Sequence, residues 1–475
     1  MSYQLYRYIG EMLTKVKSIH FVGIGGTGMS GLAKVLLEMG YRVSGSDIRE
    51  NKFTEGLRAR GAVIYQGHSP SHINNTDVVV VSSAILSDNP ELKEAKRKNI
   101  PLISRGKLLA YLTNERENII IAGTHGKTTT TSLVYSLLRE EGRNPTVFIG
   151  GEDNRIGSNS KLGDDEYVIA ESDESDGSFL FLHPKICILT SLEDDHLDFY
   201  KSKKNLFNSF VQFVEKLKPE GTLIINRDDT QLREILGKIH LHPLQKLITY
   251  GINSKAELCA DKIRLRKFTS LYRVKYKRDA AEEIKLSLPG EHNIYNSLGA
   301  IGAGISLKIG WDKIKKSLSS FRGVKRRFEK IGETSSHILV INDFAHHPTE
   351  IEKTLTIAKR LNRRIITVFQ PHRYTRTKIL LPRFATAFKK TDILLLTSIY
   401  AAGEHPLPGI SGRLLFEEIK KQRKRQTYYF SFTNQIINFL KEKTKEGDLL
   451  LILGAGDIET VGKTFLEISE KVRNL

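Results

Sequence analysis

The stretch Ile119-Ile-Ile-Ala-Gly-Thr-His-Gly-Lys-Thr-Thr-Thr130 decides the fold class. A short apolar run, Ile119–Ile121, reads as a strand. It enters a glycine turn, and the turn enters a helical pattern that runs to about Glu140. Backbone N–H groups in such a turn cradle phosphate oxygens. The Lys127 ammonium suits a β- or γ-phosphate and the Thr128 hydroxyl suits Mg²⁺. The loop is a shortened form of the common phosphate-binding pattern, because residue 121 is Ile where the longer form opens with Gly. Packing alone gives little reason for Gly-Lys-Thr at a strand–helix junction.

Upstream lies a second turn of this kind, Gly23-Ile-Gly-Gly-Thr-Gly28. It follows the strand-like Ile19–Val22 and opens a helical pattern from Met29 to Met39. Its glycines let the backbone pass close to a pyrophosphate, and the helix start offers N–H donors. Asp47 closes the next strand, where an acid can bind a ribose hydroxyl. The glycines do not distinguish NAD from another nucleotide. Strand and helix patterns alternate through Ala62–Tyr65, Asp77–Val81 and Asn89–Lys98, as in a parallel doubly wound sheet. A polar stretch, Thr113–Asn118, interrupts this pattern and places a first boundary near residue 115.

Downstream, two acidic segments follow apolar strands: Glu171-Ser-Asp-Glu-Ser-Asp176 after Tyr167–Ala170, and Glu193-Asp-Asp-His-Leu-Asp198 after Ile186–Leu189. Ligands gather at the carboxyl ends of strands in α/β sheets. Carboxylates beside a triphosphate would repel it unless a divalent cation stood between them, so Mg²⁺ is expected. Cys259–Leu288 reads as β-hairpin material, with Tyr272, Val274 and Tyr276 alternating with basic residues. A third α/β block begins after Arg327. There Asp343-Phe-Ala-His-His-Pro348, Gln370-Pro-His-Arg-Tyr-Thr-Arg376 and Gly454-Ala-Gly-Asp457 each follow a strand, and paired arginines beside histidines suit a carboxylate ligand.

Composition sets the outer limits. The 475 residues are 40% hydrophobic and 27% charged, as expected for a globular chain of about three domains. The apolar runs are strand-sized, too short to span a membrane. The polar start, Met1–Lys17, shows no secretory signal. The two cysteines, Cys187 and Cys259, form neither a disulfide framework nor a zinc cluster, which fits a reducing cytoplasm. Cys187 is expected to be a buried hydrophobe. The net charge of +19 fits polyanionic small substrates. The dense basic run Lys420–Arg425 reads as a solvated helix end, without the interleaved aromatics of a nucleic-acid surface.

Taken together these segments resemble the Mur ligases of bacterial cell-wall synthesis, over essentially the whole chain. Gly123–Thr130, the Glu171 segment, Asp195-His-Leu-Asp198 and His292-Asn293 with Asn296 carry the general likeness. Gly23–Met29, Phe321–Phe328, His346-His-Pro-Thr-Glu350, Phe369–Thr377 and Tyr400-Ala-Ala-Gly-Glu404 resemble the alanine-adding branch. The resemblance implies three α/β domains. Residues 1–115 would form a Rossmann-like domain for a UDP-linked substrate, 116–327 a central P-loop ATPase-type domain with a mixed sheet, and 328–475 a Rossmann-like amino-acid domain.

The resemblance also assigns residues. Gly25, Gly26, Thr27, Gly28, Asp47, Ser82, Ser83 and Ala84 would hold the UDP part of UDP-N-acetylmuramate. Gly123, Thr124, His125, Gly126, Lys127, Thr128 and Thr129 would hold ATP, with His292, Asn293 and Asn296 bordering adenine and Arg326 or Arg327 on the phosphates. Thr128, Glu171 and His196 would be the Mg²⁺ ligands, and His346, Arg373 and Arg376 would surround L-alanine. Lys127, Glu171, His196, His346, Arg373 and Arg376 form the implied catalytic set, with His346 a candidate base for the amine. The chain departs from the family pattern at Phe344, Ser191 and His405, where Tyr, Asn and an acidic residue are common. The alternatives are a murein-peptide recycling ligase on the same sugar nucleotide, a folylpolyglutamate synthase, and, from another class, an NAD-dependent oxidoreductase. The last explains Gly23–Gly28 and Asp47 but not the remaining motifs.

Overall fold

The computed structural model describes residues 15–423 and 426–471. Most of Met1–Lys17, and Lys424 and Arg425 of the basic run, lie outside the described residues. The first sheet comprises β1 (Ser18–Val22), β2 (Arg42–Asp47), β3 (Val63–Gln66), β4 (Val78–Val81) and β5 (Leu102–Ser104). All pairs are parallel, in the order β3-β2-β1-β4-β5. The connections change direction between β1 and β4, which is where doubly wound sheets bind ligands. Helix Thr27–Glu38 leaves the first glycine turn and buries Met29, Leu32, Ala33, Val35 and Leu36. Helix Lys52–Arg58 is fixed at its start by Asn51, which makes a capping box with Thr54.

The second sheet comprises β6 (Glu117–Ala122), β7 (Thr146–Asp153), β8 (Ser158–Lys161), β9 (Tyr167–Glu171), β10 (Ile186–Leu189), β11 (Thr222–Asn226), β12 (Lys246–Gly251), β13 (Leu258–Leu265), β14 (Ser270–Tyr276) and β15 (Glu282–Leu286). The order is β15-β14-β13-β12-β11-β10-β6-β9-β7-β8. Its middle is parallel, while β7–β8 and β14–β15 pair antiparallel, so the sheet is mixed. In the predicted hairpin region Tyr272 and Val274 point inward and are buried, while Lys275 is exposed. The central strands are apolar throughout because helices cover both faces. Cys187 is fully buried in β10, and burial pushes its thiol pKa up, as its apolar neighbours implied.

The polar stretch Thr113–Asn118 is a packed seam where the sequence suggested only an interruption. Asn114 Nδ2 donates to the Phe181 carbonyl and its Oδ1 accepts from the His183 N–H. Asn118 does the same with the His183 carbonyl and the Lys185 N–H. Buried amides that are fully hydrogen-bonded fix geometry, and here they tie the helix Arg105–Asn114 to the second sheet.

The third sheet comprises β16 (Glu329–Glu333), β17 (Leu339–Asp343), β18 (Ile365–Phe369), β19 (Ile393–Leu396), β20 (Thr427–Tyr429) and β21 (Leu449–Leu453), in the order β16-β17-β21-β18-β19-β20. Only β16 pairs antiparallel. The edge strands β16 and β20 are charged or short and carry no strong apolar alternation. The first two sheets group into one compact unit that extends to Arg322, and a second unit starts at Gly323. No helix among the described residues is long and apolar enough to cross a membrane.

Gly106 marks how closely the seam is packed: a Cβ there would fall 2.3 Å from Ser178 Cβ. Gly106→Ala should therefore destabilise the first unit by roughly 1–3 kcal/mol. A fall in the urea midpoint with unchanged slope is the expected readout.

Candidate active site

The first glycine turn is latched to the end of β2. Gly23 N and Ile24 N both donate to the Ser46 carbonyl, at 2.9 and 3.0 Å. Gly25 N donates to Asp47 Oδ2 at 2.8 Å, and Asn51 Nδ2 donates to the Gly25 carbonyl at 3.1 Å. A Cβ on Gly25 would lie 2.7 Å from Asn51 Nδ2, so a side chain would force the turn open. Asp47, expected at a ribose, thus also shapes the turn. Ser82 follows β4 on the other side of the switch point, with its N–H donating to the Val22 carbonyl and its hydroxyl accepting from Ala84 N. Thr27, Gly28 and Ser82 are thereby brought to one strand edge.

The second turn follows β6 and is held by the segment after β10. Thr124 N donates to the Ser191 carbonyl at 2.9 Å and His125 N donates to Ser191 Oγ at 3.0 Å. Glu193 N donates to Thr124 Oγ1 at 2.9 Å. Ser191, where the family pattern has Asn, therefore holds the loop with a shorter side chain. Gly126 caps the helix Lys127–Glu140 with φ +84°, and a Cβ there would sit 2.2 Å from Asn296 Oδ1. Asn296 also donates to Asn293 Oδ1 at 3.0 Å, so both amides lie beside the loop, on helix Glu291–Ser306. His292 sits at the start of that helix.

Lys127 is mostly buried, and its ammonium donates to the Gly123 carbonyl and to both oxygens of Glu174, at 3.0 and 2.8 Å. Burial alone would lower its pKa, but the carboxylates of Glu174, Glu171 and Asp173 outweigh that and raise it, so it stays charged. Thr128 Oγ1 donates to Glu171 Oε1 at 3.1 Å, while Glu171 Oε2 accepts from Gly150 N at 2.7 Å. These hard oxygen donors at a phosphate loop are the ligand types Mg²⁺ takes. His196 carries a left-handed backbone (φ +56°), and its Nε2 lies 3.7 Å from Glu174 Oε1 and from Asp195 Oδ2. The side chains of Leu197 and Asp198 lie outside the described set. Glu174, buried between Lys127 and His196, was missed at the level of single residues, although it lies inside the acidic segment. Arg105 was missed outright. It lies against Gly28 and within 3.2 and 3.5 Å of Asp173 and Asp176. Its position directly after β5, at the same strand ends of the first sheet as the Gly23–Gly28 turn, was the available signal.

The carboxyl ends of β17, β18 and β21 form a separate cluster in the second unit. His346 Nδ1 donates to the Phe344 carbonyl at 3.0 Å, which in the neutral ring leaves the lone pair on Nε2. Arg376 Nη1 donates to His372 Nδ1 at 3.0 Å, so His372 carries its proton on Nε2. Burial, then the nearby His346, Arg376, Arg373 and Arg326, push His372 down to about 2, leaving it neutral. Tyr400 stacks on His372 at 5.7 Å. Arg373 has φ +68°, an uncommon strain that places its side chain next to this pair. Arg326 donates to the Gly454 and Gly456 carbonyls, at 2.5 and 2.9 Å, and both Arg326 and Arg327 cover the face of Phe344. The ring of Phe344, which lacks the hydroxyl of Tyr, keeps the aromatic face that these two guanidiniums cover. Glu404 accepts from Thr375 N and Thr375 Oγ1, bracing the arginine segment.

Two phosphate-type turns lie in one unit, and a histidine–arginine cluster lies at the strand ends of the third sheet. Residues 18–117 match the Mur ligase family, catalytic domain; residues 121–304 match the Mur ligase middle domain; and residues 326–456 match the Mur ligase, glutamate ligase domain. The chain belongs to the Mur ligase family. It is 44% identical to the UDP-N-acetylmuramate–L-alanine ligase of Dictyoglomus turgidum over 464 residues, 98% of this chain and 99% of that protein. It is 43% identical to the ligase of the same name from Trichlorobacter lovleyi, over 96% of this chain and 100% of that protein. The crystal structure of the UDP-N-acetylmuramate-alanine ligase of Thermotoga maritima superposes with a TM-score of 0.83 at 28% identity, covering 96% of this chain and 99% of that one. A murein peptide ligase from Psychrobacter arcticus gives 0.72 at 26% identity, covering 95% and 98%.

Gly126→Ala places a methyl group on Asn296 in a backbone conformation that disfavours it. ATP binding, followed by titration calorimetry, should weaken by at least about tenfold while far-ultraviolet circular dichroism stays unchanged.

Proposed function

We propose that this chain is an ATP-dependent ligase that joins L-alanine to the lactyl carboxylate of UDP-N-acetylmuramate, releasing ADP and phosphate during peptidoglycan precursor synthesis in the cytoplasm. The observation that carries the reading is the mostly buried, charged Lys127 in a glycine turn at the end of β6, with Thr128 and Glu171 in contact beside it. The near full-length likeness to alanine ligases supports the choice of substrates. Residues 1–115, 116–327 and 328–475 are then the UDP-substrate, ATP and amino-acid domains.

A lactyl carboxylate oxygen attacks the γ-phosphorus of ATP, the bond to the β-phosphate oxygen breaks, and ADP leaves. The alanine nitrogen then attacks the acyl carbon, the bond to the phosphate oxygen breaks, and phosphate leaves as the nitrogen gives up its proton. Phosphorylation is needed because a bare carboxylate is a poor electrophile with no leaving group. Lys127 exchanges Glu174 for phosphate and offsets the repulsion of two meeting anions, the kind of preorganised charge that dominates such catalysis. The backbone N–H groups of Gly123–Thr129 orient the triphosphate. His292, Asn293 and Asn296 border the adenine, and Arg326 or Arg327 meets the phosphates. Thr128, Glu171 and His196 would hold Mg²⁺, which supplies charge neutralisation between phosphate and carboxylate. Gly25–Gly28, Asp47 and Ser82–Ala84 hold the UDP group. Arg373 and Arg376 fix the alanine carboxylate. His346, with its lone pair on Nε2, takes the amine proton.

Phosphate release measured with UDP-N-acetylmuramate, ATP and Mg²⁺, and a panel of L-alanine, glycine, L-serine and the murein tripeptide, tests the reading. Turnover with L-alanine is expected, whereas turnover with the tripeptide alone would favour the recycling ligase. Lys127→Ala should abolish phosphate release while UDP-substrate binding survives, because the two turns belong to different sheets. Unchanged turnover would remove Lys127 from the reaction. Arg373→Ala should raise the KM for alanine more than the KM for ATP, and equal rises would argue against contact with the amino acid.

A further inference from the structure

Away from both glycine turns, on the opposite face of the first sheet, a single carboxylate is ringed by histidines. Glu91, on helix Pro90–Arg97, is fully buried. Its Oε2 accepts from Ser46 Oγ at 2.6 Å and lies 3.1 Å from His68 Nδ1; its Oε1 lies 2.8 Å from His72 Nδ1 and 3.7 Å from His20 Nε2. His20 is itself fully buried, with Nδ1 bonded to Ser44 Oγ at 2.8 Å and no hydrogen bond at Nε2. Tyr65 stacks flat on His72, ring centroids 4.2 Å apart. The titratable groups facing Glu91 are thus His20 from β1, His68 from the turn after β3, His72 from the turn Pro70–Ile73 and, behind His72, Tyr65 from β3; β2 contributes Ser44 and Ser46. The side chains form a hydrogen-bond network around this one carboxylate. Burial alone would raise the Glu91 pKa, yet His20, Ser46 and His72 hold it down at about 2.

A buried carboxylate is costly unless every oxygen is satisfied, so a core of apolar residues would serve stability as well. The placement of this one points elsewhere. Ser46, which Glu91 holds, is the residue whose carbonyl receives the Gly23 and Ile24 N–H groups. It immediately precedes Asp47, which holds Gly25. On the other side, Gly67 N donates to the Asp47 carbonyl at 2.7 Å, and the next residue, His68, also ends on Glu91. Ser46 before Asp47 in the chain and the Gly67-His68 segment paired beside it are therefore fastened to one carboxylate, and through Ser46 so is the glycine turn.

We propose that Glu91, with His20, His68 and His72, is a positioning group for the UDP site: it fixes the end of β2 so that Asp47 and the glycine turn meet the nucleotide in one geometry. The proposal rests on the UDP-substrate reading of the first sheet, and the test separates the two. Binding of UDP and, separately, of ATP is measured by titration calorimetry on the wild-type chain, Glu91→Gln and Ser46→Ala. Glu91→Gln keeps the shape and removes the charge. Ser46→Ala severs the link to β2 but leaves Glu91 with its histidines, and so keeps the test open should the first variant fail to fold. The expected result is a UDP Kd that rises about tenfold or more in both variants, with the ATP Kd within about twofold of wild type. Equal weakening of UDP and ATP, or an unchanged UDP Kd in both variants, would overturn the positioning role. A wild type that binds no UDP would instead overturn the reading of the site itself.

Discussion

A buried ammonium must have a counter-charge, and the pairing of Lys127 with Glu174 is the interaction around which the nucleotide turn is organised. The carboxylate sits where an anion is wanted, so the loop can keep a charged lysine inside the protein in the absence of a phosphate. The cost of holding that charge is shared with Glu171 and Asp173, and it explains why acids crowd a site built for a polyanion.

The turns that carry this chemistry were legible in the sequence because glycine at a strand–helix junction is constrained by backbone geometry alone. Gly126 needs a left-handed φ and faces Asn296; both facts follow from local residues and one helix contact. The three sheets were equally readable from their apolar strands, Val78–Val81 and Leu449–Leu453 among them. Edge strands such as Glu329–Glu333 were not, since solvent on one side removes the pattern a reader can see. Long-range partners were also hidden. Nothing local to Arg105 announces Asp173, and nothing local to Glu91 announces three histidines from three other segments. The packing of the polar stretch after Thr113 was hidden for a related reason: asparagines that satisfy distant backbone groups have the composition of a loop and the burial of a core.

Membership of the Mur ligase family gives these pieces an order, with one module for each match along the chain. The departures from the family pattern keep their local roles by different means. Ser191 still receives the His125 N–H, and Phe344, without a hydroxyl, keeps a ring face against two guanidinium groups.

The helix that leaves the first glycine turn is also gripped from outside its own sheet. Asn159, on β8, donates to the Thr27 carbonyl and to Ser30 Oγ, and Lys34 donates to the Ser160 carbonyl. Gly31 is bare where Ser160 packs. The first module is therefore not a self-sufficient cassette. Cut free, it would expose a row of unmet polar groups along that helix, so exchange of this module between relatives would have to carry the matching β7–β8 ribbon with it.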